Sequence, residues 1–275
     1  NANQIVLGWH QQMKADGYAP ATQARRLSAL RAAVKLANQL GIVDWRLHVR
    51  LPKAQRVRDT RGADPADLRK MLAACDVTTL EGLRDRAMFT LLFTLGLRRI
   101  ELVRLRLKHY DQRKRRLLVH GKGYERDPNK IQWRDLPVDT AQDLEAWIEA
   151  GHDHTTTRCS QCDEGRACSI HKAPGENAVF YGWKNNHRTD SITPRGVHYV
   201  MSKLGKLVGL HVWPHSIRHS AVTTSLKEGH KLEEAQSFAR HDNASTTQIY
   251  NDDVDNAPGR VAETLSRVLR NEEKK

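Results

Sequence analysis

A proline-containing, basic stretch divides this chain into two parts that are expected to fold separately. The segment LPKAQRVRDTRG, from Leu51 to Gly62, is rich in Lys and Arg and shows neither helical nor strand periodicity. Domain boundaries fall in exposed, polar segments of this kind. With 275 residues available, we predict a small unit at 1–55, a linker at 56–62 and a larger unit at 63–275.

The first unit is predicted to be helical. Apolar residues recur at helical spacing from Ile5 to Met13, and Gly17 and Pro20 then interrupt the pattern. Thr22 is a suitable N-cap for a second helix, which Gly41 would end. The expected apolar stripe of that helix comprises Leu27, Leu30, Val34, Leu36 and Leu40. Its other face carries Arg25, Arg26, Ser28, Arg31 and Lys35, which is typical of a solvated face and also of a DNA contact.

The second unit is predicted to be mainly α with a small antiparallel β-sheet, an α+β fold. Asp64 and Pro65 form a good N-cap and N1 pair, and a strongly apolar helix ends at Gly96. Residues 116–120 and 133–138 read as two antiparallel strands, and a short strand is expected from Ala178. Further helices are expected near 140–150, 194–208, 214–228, 231–240, 244–250 and 258–270.

The charge of the chain favours a polyanionic partner. Lys and Arg exceed Asp and Glu by 45 to 32, which gives a net charge of +13. Lys and Arg placed on phosphates release condensed counterions, so nucleic acid is the favoured partner, although membrane surfaces and ribosomes also attract basic chains. The apolar runs are too short to span a bilayer and no secretion leader is apparent, so we expect a cytoplasmic protein.

Four short sequences in the second unit form an ordered set. They are GLRRIEL at 96–102, HGKGYER at 120–126, HSIRHS at 215–220 and ARHDNASTTQIY at 239–250. In these motifs and in their order, the chain resembles the tyrosine recombinases, the family of phage-type integrases. The resemblance extends to the first unit, which is similar to the later helices of that family's helical core-binding (SAM-like) domain.

The resemblance implies an enzyme that cuts and rejoins DNA through a 3′-phosphotyrosyl intermediate. A phenol with a pKa of about 10 must lose its proton, and the leaving 5′ oxygen must be protonated. The extra negative charge on the five-coordinate phosphorus must also be stabilised. The implied catalytic residues are Arg98, Lys122, His215, Arg218, His241 and Tyr250, with Glu101 supporting Arg98. The two arginines would clamp the phosphate by bidentate bonds, Lys122 would act as general acid, and Tyr250 would be the nucleophile. Lys130, in the same loop, is an alternative to Lys122.

The resemblance also implies the partners of the enzyme. The expected assembly is a homotetramer on double-stranded DNA that carries specific recombination sites, with each chain closing on the DNA as a two-domain clamp. Neither ATP nor a catalytic metal is needed. The sequence does not distinguish an integrase from a resolvase or a transposon recombinase, although a mobile-element enzyme is favoured. The alternatives are a type IB topoisomerase-like relaxing enzyme and a non-catalytic DNA-binding protein. Arg240, which stands where relatives often have Gly, is expected to touch no essential group.

A cluster of cysteines predicts a structural zinc site. The insert at about 151–177 is polar and has no hydrophobic period. Three thiolates and one imidazole form a tetrahedral set that Zn²⁺ prefers, and metal binding would order such a segment. The predicted ligands are Cys159, Cys162, Cys168 and His171, with His152 and His154 as alternatives for the imidazole. Redox-active or unligated thiols are the other interpretation of this insert. Cys75, in an apolar helix, is expected to be a core residue.

Overall fold

The structure is a computed structural model that describes residues 1–52, 62–152, 177–184 and 187–241. The chain divides into two compact units, Asn1–Asp59 and Thr60–Lys275. Most of the predicted linker lies outside the described residues, as do the zinc ligands, Tyr250 and the helices expected near 244–250 and 258–270.

The first unit contains two helices, α1 (Ala2–Ala15) and α2 (Pro20–Gln39). Helix α2 begins two residues before the predicted cap because Pro20 occupies its first turn, where a missing N–H costs nothing. Met13, Leu27 and Val49 form the core of this unit. The predicted stripe is wrong at its end, since Leu36 and Leu40 are 55% and 64% exposed.

The second unit confirms the predicted mainly α fold class with its small antiparallel sheet. Three of its helices begin at side-chain caps, because the predicted cap Asp64 and also Thr79 and Thr193 each accept a hydrogen bond from a backbone N–H in the first turn. The helices are α3 (Pro65–Ala73), α4 (Leu80–Thr94), α5 (Arg99–Val103), α6 (Val138–His152), α7 (Pro194–Leu207), α8 (Pro214–Lys227) and α9 (Leu232–Ala239).

A three-stranded antiparallel sheet lies between α5 and α6 in the chain. Its strands are β1 (Tyr110–Asp111), β2 (Arg116–His120) and β3 (Ile131–Asp135), in the order β1-β2-β3. Strand β3 begins two residues earlier than predicted, since Ile131 pairs with His120, and it ends before Pro137, which has no N–H to donate. A second sheet pairs β4 (Trp183–Lys184) with β5 (His187–Arg188).

The strand expected from Ala178 is mostly absent, and the buried core explains why. Ala178 makes one isolated bridge with Arg106, and the next three residues, Val179, Phe180 and Tyr181, are buried without joining a strand. The indole Nε1 of Trp147 donates to the Val179 carbonyl at 2.7 Å. The apolar run therefore fills the core beneath α6. The strand prediction is wrong because a short apolar run by itself does not distinguish a strand from another buried segment.

Helix α4 is the centre of the second unit. It is buried on most sides and packs against α6 and α8, with Met88, Leu91 and Leu92 fully enclosed. A helix of this kind cannot present a polar face to water, so it acts as a rigid scaffold for the loop that follows it. Among the described helices, none has the length and apolar character needed to cross a membrane.

Candidate active site

The loop after α4 and the start of α5 place Arg98 beside Glu101. The backbone N–H of Arg98 donates to Glu101 Oε2 at 2.7 Å, and Arg98 Nη1 donates to Glu101 Oε1 at 2.9 Å. Glu101 is completely buried. Burial raises the pKa of its carboxyl, but the charge of Arg240 and the hydrogen bonds from Arg98 outweigh burial and lower it. Glu101 is therefore a buried carboxylate that fixes the Arg98 guanidinium.

Helix α8 carries His215 and Arg218 in different environments. Arg218 is 2% exposed, and its two terminal nitrogens donate to the carbonyls of Gly96 and Ala239. His215, one turn earlier at the helix start, is exposed. The guanidinium thus joins the loop after α4 to the end of α9, while His215 is accessible to solvent.

The connection between β2 and β3 carries Lys122. Gly121 N–H donates to the Lys130 carbonyl at 2.8 Å and closes the turn, and Gly123 has a φ of 83° that suits glycine. The rings of His120 and Tyr124, on either side of Lys122, lie 4.7 Å apart.

Two further side chains extend this pair of rings. The His109 ring lies 4.5 Å from His120, and the Arg104 guanidinium lies 5.1 Å from the centre of the Tyr124 ring. Burial, together with the charges of Arg104 and Lys108, lowers the pKa of His120. The base of the Lys122 turn is therefore packed by four side chains in contact, of which His109 and Arg104 lie outside the four motifs.

A cleft of about 520 Å³ brings several of the predicted residues together. It lies between the β2–β3 connection, the start of α5 and the end of α9. The predicted residues that line it are Arg98, Lys122 and His241, together with the alternative Lys130 and the unpredicted Arg240. Arg218 and His215 do not line this cleft. Arg218 lies behind it, since it shares the Gly96 carbonyl with Arg240.

The charges around His241 act on its imidazole. Burial and then the nearby charges of Arg218, Arg98 and His215 lower the pKa of His241 to about 4. The imidazole is therefore neutral at physiological pH in the protein alone. A cluster of cations that disfavours a further positive charge is suited to receive an anion.

The expectation that Arg240 touches no essential group is wrong. Its Nη2 donates to Glu101 Oε2 at 2.7 Å and to the Gly96 carbonyl at 3.0 Å. Its own carbonyl accepts a hydrogen bond from Arg98 Nη2 at 2.7 Å. The position of Arg240 in the sequence could have indicated this role. It directly follows α9, where the backbone is left-handed and glycine is the usual residue, so a long basic side chain there is unexpected.

The predicted DNA-contact residues of α2 lie on the solvent side of that helix. Arg25, Arg26, Ser28, Arg31 and Lys35 are all exposed. The Arg26 guanidinium lies 4.2 Å from the centre of the Tyr18 ring. These side chains are available for a phosphate contact from the first unit.

The predicted zinc ligands are not among the residues whose placement is described. Within the described ranges, no cluster of His, Cys, Asp and Glu is arranged to hold a metal ion. Cys75 is buried, and burial raises the pKa of its thiol to about 11, as suits a core residue.

The mainly α fold with its small sheet and the cleft lined by arginine and lysine side chains define a class of protein whose site suits an anion. Residues 63–257 match the phage integrase family. The chain belongs to this family of tyrosine recombinases, and it is an enzyme of site-specific recombination that cleaves and rejoins DNA with a tyrosine nucleophile.

Similar proteins come from bacterial recombination systems. A tyrosine recombinase of Synechococcus elongatus is 30% identical over 269 residues, which cover 96% of this chain and 77% of the relative. The tyrosine recombinase XerC of Bacillus subtilis is 27% identical over 239 residues, or 85% of this chain and 71% of XerC. The topoisomerase-like and non-catalytic alternatives have no support in these relatives.

Two solved structures share the fold. The Tn1549 transposon integrase in complex with transposon right end DNA has a TM-score of 0.68 at 17% identity, covering 98% of this chain and 85% of that chain. The XerH recombinase bound to palindromic difH substrate, in a post-cleavage complex, has a TM-score of 0.67 at 16% identity, covering 95% of this chain and 71% of that chain.

Proposed function

We propose that the cleft beside Arg98 is the recombinase active site and that it holds the scissile phosphate of DNA. The observation that carries the proposal is the convergence of Arg98, Lys122 and His241 on one cleft, from three elements far apart in the sequence. Arg218, buried behind the cleft, adds a further positive charge next to His241. Chance surface residues do not converge in this way around a buried carboxylate.

Arg98 stabilises the charge that develops on the phosphate oxygens by direct hydrogen bonds, and Arg218 contributes its positive charge from behind the cleft. A guanidinium has five N–H donors, and the bonds of Arg98 to Glu101 and to the Arg240 carbonyl use one on each terminal nitrogen. The Arg98 side chain is 29% exposed and lines the cleft, so its remaining donors suit phosphate oxygens. Fixed donors of this kind stabilise a transition state without reorganisation.

His241 and His215 serve proton transfer and phosphate orientation. Because the pKa of His241 lies near 4 in the protein alone, its neutral imidazole can accept a hydrogen bond or a proton as the phenol of Tyr250 attacks. The phosphate brings negative charge into the cleft and would raise this pKa toward the working range. Tyr250 itself lies outside the described residues.

The nucleophile is tested with a nicked suicide duplex taken from the DNA that flanks the gene. We expect a covalent protein–DNA adduct with the wild-type chain and none with Tyr250→Phe. Arg98→Ala is expected to lower the cleavage rate by about 100-fold or more, because one donor to the developing charge is lost. An adduct that persists in Tyr250→Phe would contradict the proposal.

The general acid is proposed to be Lys122, with Lys130 as its rival in the same cleft. A substrate with sulfur at the 5′ bridging position separates them, because a thiol has a pKa of about 8.5 and its thiolate leaves without protonation. Lys122→Ala is expected to cleave the oxygen substrate slowly and the sulfur substrate normally, and Lys130→Ala to cleave both normally. The reverse pattern would make Lys130 the acid.

The partners are proposed to be double-stranded DNA with specific sites and three further copies of the chain. The solved Tn1549 integrase and XerH structures contain DNA, and the exposed basic face of α2 suits a major-groove contact from residues 1–55, with residues 63–275 as the catalytic domain. A DNA substrate places the enzyme in the cytoplasm with the nucleoid. Mass measurement of the complex on a synthetic recombination site is expected to give four chains for two duplexes.

The insert at about 151–177 is proposed to hold structural Zn²⁺ through Cys159, Cys162, Cys168 and His171. The support is the residue pattern, since a Cys₃His set is typical of such sites. Elemental analysis is expected to find one zinc per chain, which Cys162→Ser removes and Cys75→Ser leaves in place. Zinc-free protein with normal stability would contradict this.

We also propose that this recombinase is the integrase of a mobile element. Sequencing the DNA joints that the enzyme forms tests this proposal.

A further inference from the structure

Arg240 has a backbone conformation that disfavours it. Its φ of 52° and ψ of 49° lie in the left-handed region, where a side chain crowds its own backbone and glycine is preferred. Within the described part of the chain, Arg115 is the other residue besides glycine with a positive φ. A residue held in such a conformation needs compensating contacts from its surroundings.

The guanidinium of Arg240 makes those contacts with the elements that surround the cleft. Nη1 donates to the Leu95 carbonyl at 3.1 Å, and Nη2 donates to the Gly96 carbonyl and to Glu101. The side chain is 9% exposed. One planar group therefore joins the end of α4, the start of α5 and the end of α9, which a single ammonium cannot do with the same geometry.

These contacts reach Arg98 and the residue next to His241, two of the residues that line the cleft. Glu101 is shared, with one oxygen bonded to Arg98 Nη1 and the other to Arg240 Nη2. The Arg240 carbonyl holds Arg98 Nη2, and the next residue in the chain is His241. Arg240 lines the cleft, but both of its terminal nitrogens donate to protein oxygens and its Nε is buried, so the side chain has no exposed donor to offer DNA.

We propose that Arg240 is a positioning residue, which clamps the loop after α4 to Glu101 and thereby sets the orientation of Arg98 and the place of His241. The inference rests on the active site proposed above. It assigns a role to a side chain within the fourth motif that the sequence analysis expected to touch no essential group. Its effect is on the rate of strand cleavage and not on the affinity for DNA.

The test compares Arg240→Gly with Arg115→Gly on the nicked suicide duplex. Glycine suits the left-handed backbone at both positions, so each variant removes an arginine without adding strain. Arg115 is exposed in the β1–β2 turn and serves as the matched control. We expect Arg240→Gly to cleave about 10- to 100-fold more slowly at saturating DNA, as a small misplacement of reacting groups does, and Arg115→Gly to cleave normally.

Two further measurements separate positioning from other roles. The Kd for the duplex is expected to stay within about threefold of wild type in Arg240→Gly, because a buried side chain makes no phosphate contact that binding would lose. Arg240→Lys keeps the positive charge beside Glu101 but lacks the planar fork, so it is expected to fold and still to cleave about 10-fold more slowly.

A wild-type rate in Arg240→Gly or Arg240→Lys overturns the inference. So does a loss of rate that is matched by the loss of folded protein or of DNA affinity. Arg98→Ala and Tyr250→Phe are measured alongside. If they are inactive while Arg240→Gly is normal, the active site stands and the inference alone fails. If they cleave normally, the proposed active site itself is wrong.

Discussion

Replacing Glu101 by Ala removes the carboxylate that two arginines share in the interior of the second unit. Glu101 is completely buried and accepts hydrogen bonds from the Arg98 backbone, the Arg98 side chain and Arg240 at 2.7 to 2.9 Å. Arg240 is 9% exposed, so its charge would lose its partner in a place that water hardly reaches. Removing one member of a buried ion pair costs about 3–5 kcal/mol.

The cost is measurable as a change in the free energy of unfolding. Urea unfolding of the full chain, followed by circular dichroism, should show Glu101→Ala less stable by about 3–5 kcal/mol. For a domain of this size the melting temperature should fall by about 6–20 °C. Glu101→Gln keeps one side-chain oxygen that can still accept hydrogen bonds from the arginines. It is expected to lower the free energy of unfolding by about 1–3 kcal/mol.

The matched control is Glu125→Ala. Glu125 also pairs with an arginine, Arg104 at 3.3 Å, but its side chain is 56% exposed. Exposed pairs contribute about 0–1 kcal/mol, so this variant should be close to wild type. If Glu101→Ala lost no more than Glu125→Ala, the reasoning about a buried, shared carboxylate would be refuted.

Two other outcomes are expected from the same measurements. The pKa of His241 is about 4 in the folded protein and about 6.5 when unfolded. The unfolded chain therefore binds the extra proton between these values, and the His241 contribution to stability is present above about pH 6.5 and is lost as the pH falls toward 4. His241→Asn should lose less stability as the pH falls, and a ring-proton resonance assigned to His241 that titrates near pH 6.5 would contradict this. Trp147→Phe should lower the free energy of unfolding by about 1–3 kcal/mol, because the Val179 carbonyl loses the indole donor, while Trp147→Ala should lower it by about 3–5 kcal/mol; a Trp147→Phe variant as stable as wild type would show that the hydrogen bond contributes nothing.

Features that depend on neighbours in the sequence could be predicted from the sequence. The caps at Asp64 and Thr193 precede helices that begin where expected, and β2 has the predicted bounds. Capping and strand alternation act over a few residues, so their signal is local. The ordered motifs likewise indicated the family, which the family match confirms.

Features that depend on burial needed the tertiary structure. Leu36 and Leu40 continue a helical stripe in the sequence, yet the first unit has no core beneath them. Val179 looks like a strand residue, but its backbone is paired with Leu105 and Trp147 in the core. Periodicity indicates that a side chain is apolar, and the packing of distant segments decides whether it is covered.

By itself the sequence determined the kind of chemistry, because residue types in a fixed order identify a phosphate-binding set with a tyrosine. Only the tertiary structure decided how that set is held. It buried Arg218 behind the cleft while leaving His215, one turn earlier on the same helix, exposed. It also gave Arg240 a place between Glu101 and the Gly96 carbonyl. These contacts join residues more than a hundred positions apart, and packing of the helices brings them together.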